Sequence, residues 1–386
     1  IPEPGLLMAG ELILTNAQVV LGDRVCHGTV HVQDGVIRSI ETGVSHLPAA
    51  VDLEGDFLIP GLIDIHTDNL ERHLQPRPGV AWPNIAALVT HDRQMATAGV
   101  TTVFDSLCVG IGDDDGNGRS QALIQSLLAM EQAQADGLLK AEHFLHLRCE
   151  VTSPTVVSSF VALVDDPLVR LVSVMDHTLG QRQWQNVDNW MKFTGHEPSE
   201  AELERMLAAA RQMQARYAAA NRLQIVRASQ ERQLTLASHD DATVEHVQDA
   251  VDLGISISEF PTTREAAAKA RACGLWIVMG APNVVLGGSH SGNVSARALA
   301  ADGLVDGLAS DYVPVSLIHA CFLFHELLGV ALPDAVATAS AHPAAMVGLS
   351  DRGIIAPDRL ADLVWVKAYR HVPVVRSVWR RGMLVA

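Results

Sequence analysis

His66 and Asp68 stand two positions apart at the end of the apolar run Leu62-Ile63-Asp64-Ile65. Residues i and i+2 of a strand share a face, so the two side chains aim at one point. Comparable donors end later apolar runs. Glu150 closes "HLRCE", Asp176-His177 follow "VRLVSVM", and His239-Asp240 follow "QLTLAS". Glu259 closes "GISISE", and Asp311 follows "LVDGLAS". Imidazoles and carboxylates converging from separate elements suit a divalent cation. Without one, clustered carboxylates repel each other and are pushed toward protonation. A metal removes that conflict and acidifies a bound water toward hydroxide near neutral pH. The expected ligands are His66, Asp68, Glu150, His177, His239 and Asp311. Plainer readings exist for each: a strand-end His or Asp can cap a loop, and Glu150 can pair with Arg148. Glu259 suits a helix N-terminus, so whether it stands in as a ligand is left open.

Positioning such donors requires several parallel strands ending at one rim. Between about residues 60 and 350, eight strand-length apolar runs alternate with helix-length segments such as 198–220 and 242–252. Runs of this kind are typical of buried parallel strands, and eight of them predict a distorted (β/α)8 barrel with its site at the C-terminal strand ends. Residues 8–59 and 351–386 read differently, as short strands and tight turns, with Asp34-Gly35 a hairpin signal. One small β-sandwich domain built from both ends is expected to flank a barrel over 60–350, giving an α/β chain.

The 386 residues are 48% hydrophobic and 19% charged, and the net charge of −16 argues against nucleic-acid or anionic-membrane partners. A local pocket can still be cationic. Five dispersed cysteines without CxxC spacing read as reduced thiols. No basic region precedes an apolar leader and no run approaches the ~18 residues of a span. The expectation is a cytoplasmic protein.

"FLIPGLIDIHTD" and "RGIIAPDRLADLVWV" resemble the amidohydrolase superfamily. The resemblance implies a metal-bearing barrel flanked by a β-sandwich. It also implies His-x-His on the first barrel strand, a bridging Lys or Glu, histidines on the fifth and sixth strands, and Asp on the eighth. This chain departs twice, with Asp68 for the second histidine and Glu259-Phe260 where the sixth strand should offer one. Five further segments resemble one branch of that superfamily: "HTDNLERHLQPRPGVAWP", "HLRCE", "MDHTLGQRQW", "SEFPTTREAA" and "GAPNVVLGGSHSGN". That branch removes pyrophosphate from a ribose 5-triphosphate in phosphonate catabolism. The resemblance implies one or two divalent ions, zinc first with manganese or iron as alternatives. It also implies a small anionic sugar triphosphate as substrate and a homo-oligomer as the plausible assembly.

A triphosphate needs cations and backbone donors around it. Arg77, Arg148, Arg182, Lys192 and Arg264 follow the barrel strands, and arginine's planar fork suits phosphate. Asn69 adjoins Asp68, and Gly287, Gly288 and Ser289 form a loop whose N–H groups could cradle phosphate after the seventh strand. The expected chemistry is attack of metal hydroxide on the α-phosphorus, with Asp311 as general base and His177 or His290 assisting protonation. Two rivals remain: an amide- or amine-hydrolysing enzyme of the same superfamily, and a barrel scaffold without metal. No Gly-x-Ser-x-Gly elbow supports a serine nucleophile, and Glu150 beside Cys149 disfavours a thiolate.

Overall fold

The protein is described by a computed structural model covering residues 10–77, 79–110, 118–289 and 291–386. Strands β1 (Leu12–Val20), β2 (Val25–Gln33), β3 (Val36–Thr42), β4 (Val51–Asp52) and β5 (Phe57–Pro60) come from the N-terminal part. The central part supplies β6 (Leu62–Thr67), β7 (Val100–Val109), β8 (Glu142–Glu150), β9 (Val169–Met175), β10 (Thr235–His239), β11 (Ile257–Glu259), β12 (Trp276–Gly280) and β13 (Gly307–Ala309). Strands β14 (Leu363–Tyr369), β15 (Val372–Arg380) and β16 (Met383–Leu384) end the chain.

The first and last groups share one mixed sheet, in the order β16-β15-β14-β5-β1-β2-β3, with β4 on β1. Its two chain ends join where β14 pairs antiparallel to β5, Leu363 opposite Pro60. Between β2 and β3, Asp34 and Gly35 both take positive φ, 53° and 78°, as a type I′ hairpin turn requires. Leu14, Val19, Val30, Val32, Ile37, Leu58, Leu363 and Trp379 form the core of this sheet.

Strands β6 to β13 pair in parallel and in chain order, as the alternation predicted. The ring closes at a parallel bridge between Thr67 and Asp311. There the Asp311 N–H donates to the His66 carbonyl at 3.0 Å and the Asp68 N–H to the Asp311 carbonyl at 2.7 Å. Phe104, Leu171, Ala237, Ile257, Val278 and Ala309, each from a different strand, meet in one cluster with Ile63 and Ile65. Contributions from around the ring make this the plug of the barrel. Two positions on from Ala237 and Ile257 in the same strands come His239 and Glu259, so the period of two sets these side chains directly above the plug. Helices pack outside. α1 (Asn69–Leu74) and α2 (Asn84–Thr97) follow β6, and Glu200–Met213 and Val244–Asp252 fall in the two segments read as helical. No helix of the described residues is long and apolar enough to cross a membrane.

Candidate metal centre

Short strands bring donors to the rim, and the backbone then turns them inward. Asp240, Phe260 and Asp311 each follow a barrel strand with φ of +55° to +56°. Non-glycine residues enter this left-handed region at a cost and cluster where function demands a particular side-chain direction.

Two glutamates organise three histidines. Glu259, fully buried on β11, accepts from His66 Nδ1 with one oxygen and from His239 Nδ1 with the other, each at 2.7 Å. Glu150 accepts from His177 Nδ1 at 2.9 Å and from the Thr152 hydroxyl at 2.6 Å. With Nδ1 engaged, each ring presents Nε2, as in metal sites where a carboxylate orients the ligating imidazole. His66 Nε2 is 3.6 Å from Asp68 Oδ1. His177 Nε2 and His239 Nε2 lie 3.6 Å and 3.3 Å from Asp240 Oδ2. The His66 and His239 rings stack 5.8 Å apart at 12°, and Phe260 packs on both.

The buried His66 Nε2 and Asp240 Oδ2 have no hydrogen-bond partner. Orphaned buried donors and acceptors are rare and call for a missing partner. Two donor groups meet here, His66-Asp68-Asp311 and His177-His239-Asp240, the ligating atoms of each lying within 4.8 Å of one another. These N and O donors fit a divalent cation.

The charges strain in the same direction. Against the effect of burial, Glu259 lifts the His66 imidazolium to about 10, and Asp240 with Glu150 lifts His177 to about 9. Burial and then the Asp68 carboxylate push Asp311 up to about 7. Against burial, the Arg148 guanidinium, 2.6 Å from Asp68 Oδ1, holds Asp68 below the usual carboxylate range. Glu259 is likewise held well below its ordinary value by His66, His146 and His239. Without a cation, the surrounding carboxylates favour protonation of His66 and His177.

These donors open on a cleft of about 810 Å³ lined by Arg72, Gln75, Arg148, Gln183, Trp184, Phe193, Phe260 and Tyr312 together with Asp68, His177, His239, Asp240 and Asp311.

No family model matches the chain. Over 379 residues, 97% of its length, the chain is 42% identical to the alpha-D-ribose 1-methylphosphonate 5-triphosphate diphosphatase of Escherichia coli (strain K12), all of which is covered. The chain belongs to the family of that diphosphatase. Among solved structures it is similar to N-isopropylammelide isopropylaminohydrolase from Burkholderia multivorans ATCC 17616, with a TM-score of 0.63, 16% identity and 98% of both chains covered. It is also similar to 5-methylcytosine deaminase from Klebsiella pneumoniae, with a TM-score of 0.65, 13% identity, and 97% and 98% covered. At such identities the likeness concerns the fold alone, a (β/α)8 barrel beside a sheet built from both chain ends.

In this member of the diphosphatase family, the residues expected from the sequence fall into two sets. His66, Asp68, His177, His239 and Asp311 meet at the rim. Glu150 turns onto His177 and Thr152, so the structure gives it an orienting place. Arg148 lines the cleft. Gly288 and Ser289 line a small recess shared with Asp240, Phe260 and Asp311, while Gly287 ends the helix Ala281–Leu286 at φ +83° beside Arg297. Other residues are not brought to the cleft. Asn69 is buried and its amide faces His91 and Gln94. Arg182 is tied to Asp241 at 2.8 Å and to the His239 carbonyl. Arg264 is 69% exposed and paired with Asp302. Arg77 and Lys192 are absent from the cleft lining. His290 lies outside the described residues. The expectation missed Asp240 as a candidate ligand and Arg72 as the second cation of the cleft. A signal for Arg72 existed: Gln75 stands one helical turn from both Glu71 and Arg72, just after Asp68.

Proposed function

We propose that the chain hydrolyses α-D-ribose 1-methylphosphonate 5-triphosphate to the 5-phosphate and pyrophosphate, as its relative's name describes. The observation that carries this is the set of Nε2 atoms of His66, His177 and His239 facing Asp68, Asp240 and Asp311, all but the buried His66 lining a cleft large enough for a sugar triphosphate. His66, His177, His239, Asp68, Asp240 and Asp311 would hold one or two divalent ions, zinc first. Bound there, a cation would acidify a water and offset charge on the transferred phosphoryl group. Residues 60–350 would form the catalytic barrel, with 8–59 and 351–386 as the flanking β domain.

The chain's own groups divide the remaining work. Asp311, in its carboxylate form, takes the proton of the attacking water. A bond forms from that water's oxygen to the α-phosphorus, and the bond to the bridging oxygen of pyrophosphate breaks. Pyrophosphate is a good leaving group, which lessens the need for a strong general acid. Arg148 and Arg72 supply fixed positive charge along the wall. Trp184 and Phe193, ring to ring at 5.1 Å, offer an apolar surface for the sugar.

Phosphorus NMR in ¹⁸O-labelled water with zinc-loaded protein tests the reading. The expected result is pyrophosphate release with the label on the ribose 5-phosphate. Label in pyrophosphate would move the attack to the β-phosphorus. No turnover by folded, zinc-loaded protein would overturn the assignment.

A further inference from the structure

A second cluster of histidines and carboxylates lies behind the rim. His91 on α2 sits between Asn69 and Asp105: Asn69 Nδ2 donates to His91 Nδ1 at 2.9 Å, and His91 Nε2 donates to Asp105 Oδ1 at 2.6 Å. His143 on β8 bonds the other Asp105 oxygen through Nδ1 at 2.7 Å and reaches Asp92 through Nε2 at 3.2 Å. Asp92 also accepts the backbone N–H groups of Lys140 and Ala141 at 2.8 and 2.9 Å. His91, Asp92, Asp105 and His143 have no exposed surface, and Asn69 is 3% exposed.

His91, Asp105 and His143 are close enough to suggest another cation site. Their bonding argues otherwise. No side-chain N or O of these residues is among the buried atoms without a partner, whereas His66 Nε2 and Asp240 Oδ2 at the rim are. His143 lies between two carboxylates, which lift its imidazolium to about 9 against burial. A ring protonated at both nitrogens offers no lone pair to a metal. Each of these groups has its partners within the protein, Asp92 also pairing with Arg93 at 2.6 Å.

Its cost is high, since burying several ionisable groups is at best neutral for stability compared with apolar packing. Its end point suggests what it achieves. Asn69 opens α1, a helix of six residues whose N-cap is Asp68, with no side-chain cap bond. Glu71 and Arg72 of α1, and Gln75 just beyond it, line the cleft. A second tie on the same helix joins His73 to Gln94 of α2 at 2.9 Å. The helix that one candidate ligand caps, and that forms one wall of the cleft, is fastened at its first residue to this relay.

We propose that Asn69, His91, Asp105, His143 and Asp92 form a positioning relay that fixes the start of α1 and thereby the placement of Asp68 for metal. The proposal rests on the reading of Asp68 as a ligand. His91 is a positioning residue, acting through Asn69, and touches neither metal nor substrate.

Zinc affinity of chelator-stripped protein, measured by competition with a fluorescent zinc chelator, tests it alongside the thermal midpoint of each apo-protein. His91→Leu removes both bonds of the ring and is expected to weaken zinc by about 10- to 100-fold, the range for loss of an outer partner of a ligand. Asn69→Ala cuts the last link, together with the bond to Gln94 at 3.0 Å, and is expected to weaken zinc comparably, which keeps the test open if His91→Leu does not fold. His91→Gln can still donate to Asp105 and accept from Asn69, and is expected to return within about threefold of wild type. A relay serving stability alone would lower the midpoint of His91→Leu and Asn69→Ala with unchanged zinc affinity, and that result overturns the proposal. Wild-type protein that binds no stoichiometric zinc, manganese or iron would overturn the metal-centre reading itself.

Discussion

Replacing Glu259 by glutamine is the most informative single change at the rim. The glutamate accepts two Nδ1–H bonds at 2.7 Å, from His66 and His239. A glutamine has one oxygen to accept with, and its NH₂ must face the other ring. That ring then presents Nδ1 as an acceptor and carries its proton on Nε2, the atom aimed at the cation. One imidazole of the three is lost as a ligand without any change in its position. Loss of such an orienting partner typically costs 10- to 100-fold in metal affinity, or about 1.4–2.8 kcal/mol. The apo-protein also loses the charge that stabilises a buried imidazolium, so its stability should fall by about 3–5 kcal/mol. Zinc competition gives the first quantity, and urea unfolding of the stripped protein gives the second. Nitrogen-15 NMR of the imidazoles reports the tautomers directly. A Glu259→Gln protein that binds zinc within about threefold of wild type, with both tautomers unchanged, would refute the orienting role.

Zinc affinity should also climb steeply with pH. Before metal binds, His66 and His177 keep their second protons up to about 10 and 9, and Asp311 up to about 7. Raised values mean the protons stay on below those pH values and must leave when metal binds. Calorimetry at pH 6 in two buffers of different ionisation enthalpy should therefore show proton release, and none would contradict the assignment. Asp311→Asn should lower kcat by about 100-fold or more if it takes the water's proton; a steady-state rate within threefold of wild type would rule that role out. Arg72→Ala removes a wall cation whose guanidinium is held only by the Tyr312 carbonyl at 2.7 Å among the described hydrogen bonds. It should raise KM by about tenfold with kcat nearly unchanged, the pattern of lost uniform binding. A lowered kcat with unchanged KM would place the residue elsewhere in the reaction.

The barrel was legible because buried parallel strands announce themselves as apolar runs. All eight runs became strands, and even β13, only three residues long, lies inside "LVDGLASD". The Asp34-Gly35 turn was legible for a different reason, since few residue pairs accept two positive φ angles. Donors at strand ends were readable too, because their period is local. Which atoms of those donors meet was not readable. Glu150 and Glu259 are chemically able to ligate, and only the geometry turns them onto Nδ1 atoms of histidines 27 and up to 193 residues away. The arginines misled for the same reason: Arg182 and Arg264 follow barrel strands, but Asp241 and Asp302 claim their guanidinium groups. His91 and His143 gave no signal, since one lies within a helix and the other at the opposite end of β8 from Glu150.

The bond that closes the ring has a biosynthetic consequence. Thr67 and the Asp311 carbonyl it contacts are 244 residues apart, and the backbone groups of His66, Asp68 and Asp311 hold one another in place. A nascent chain leaving the ribosome carries His66 early but has no closed rim until Asp311 has emerged and returned to β6. Every shorter chain lacks the bridge between Thr67 and Asp311 that closes the ring. A cation held by His66, Asp68 and Asp311 would therefore be loaded only after Asp311 has been synthesised.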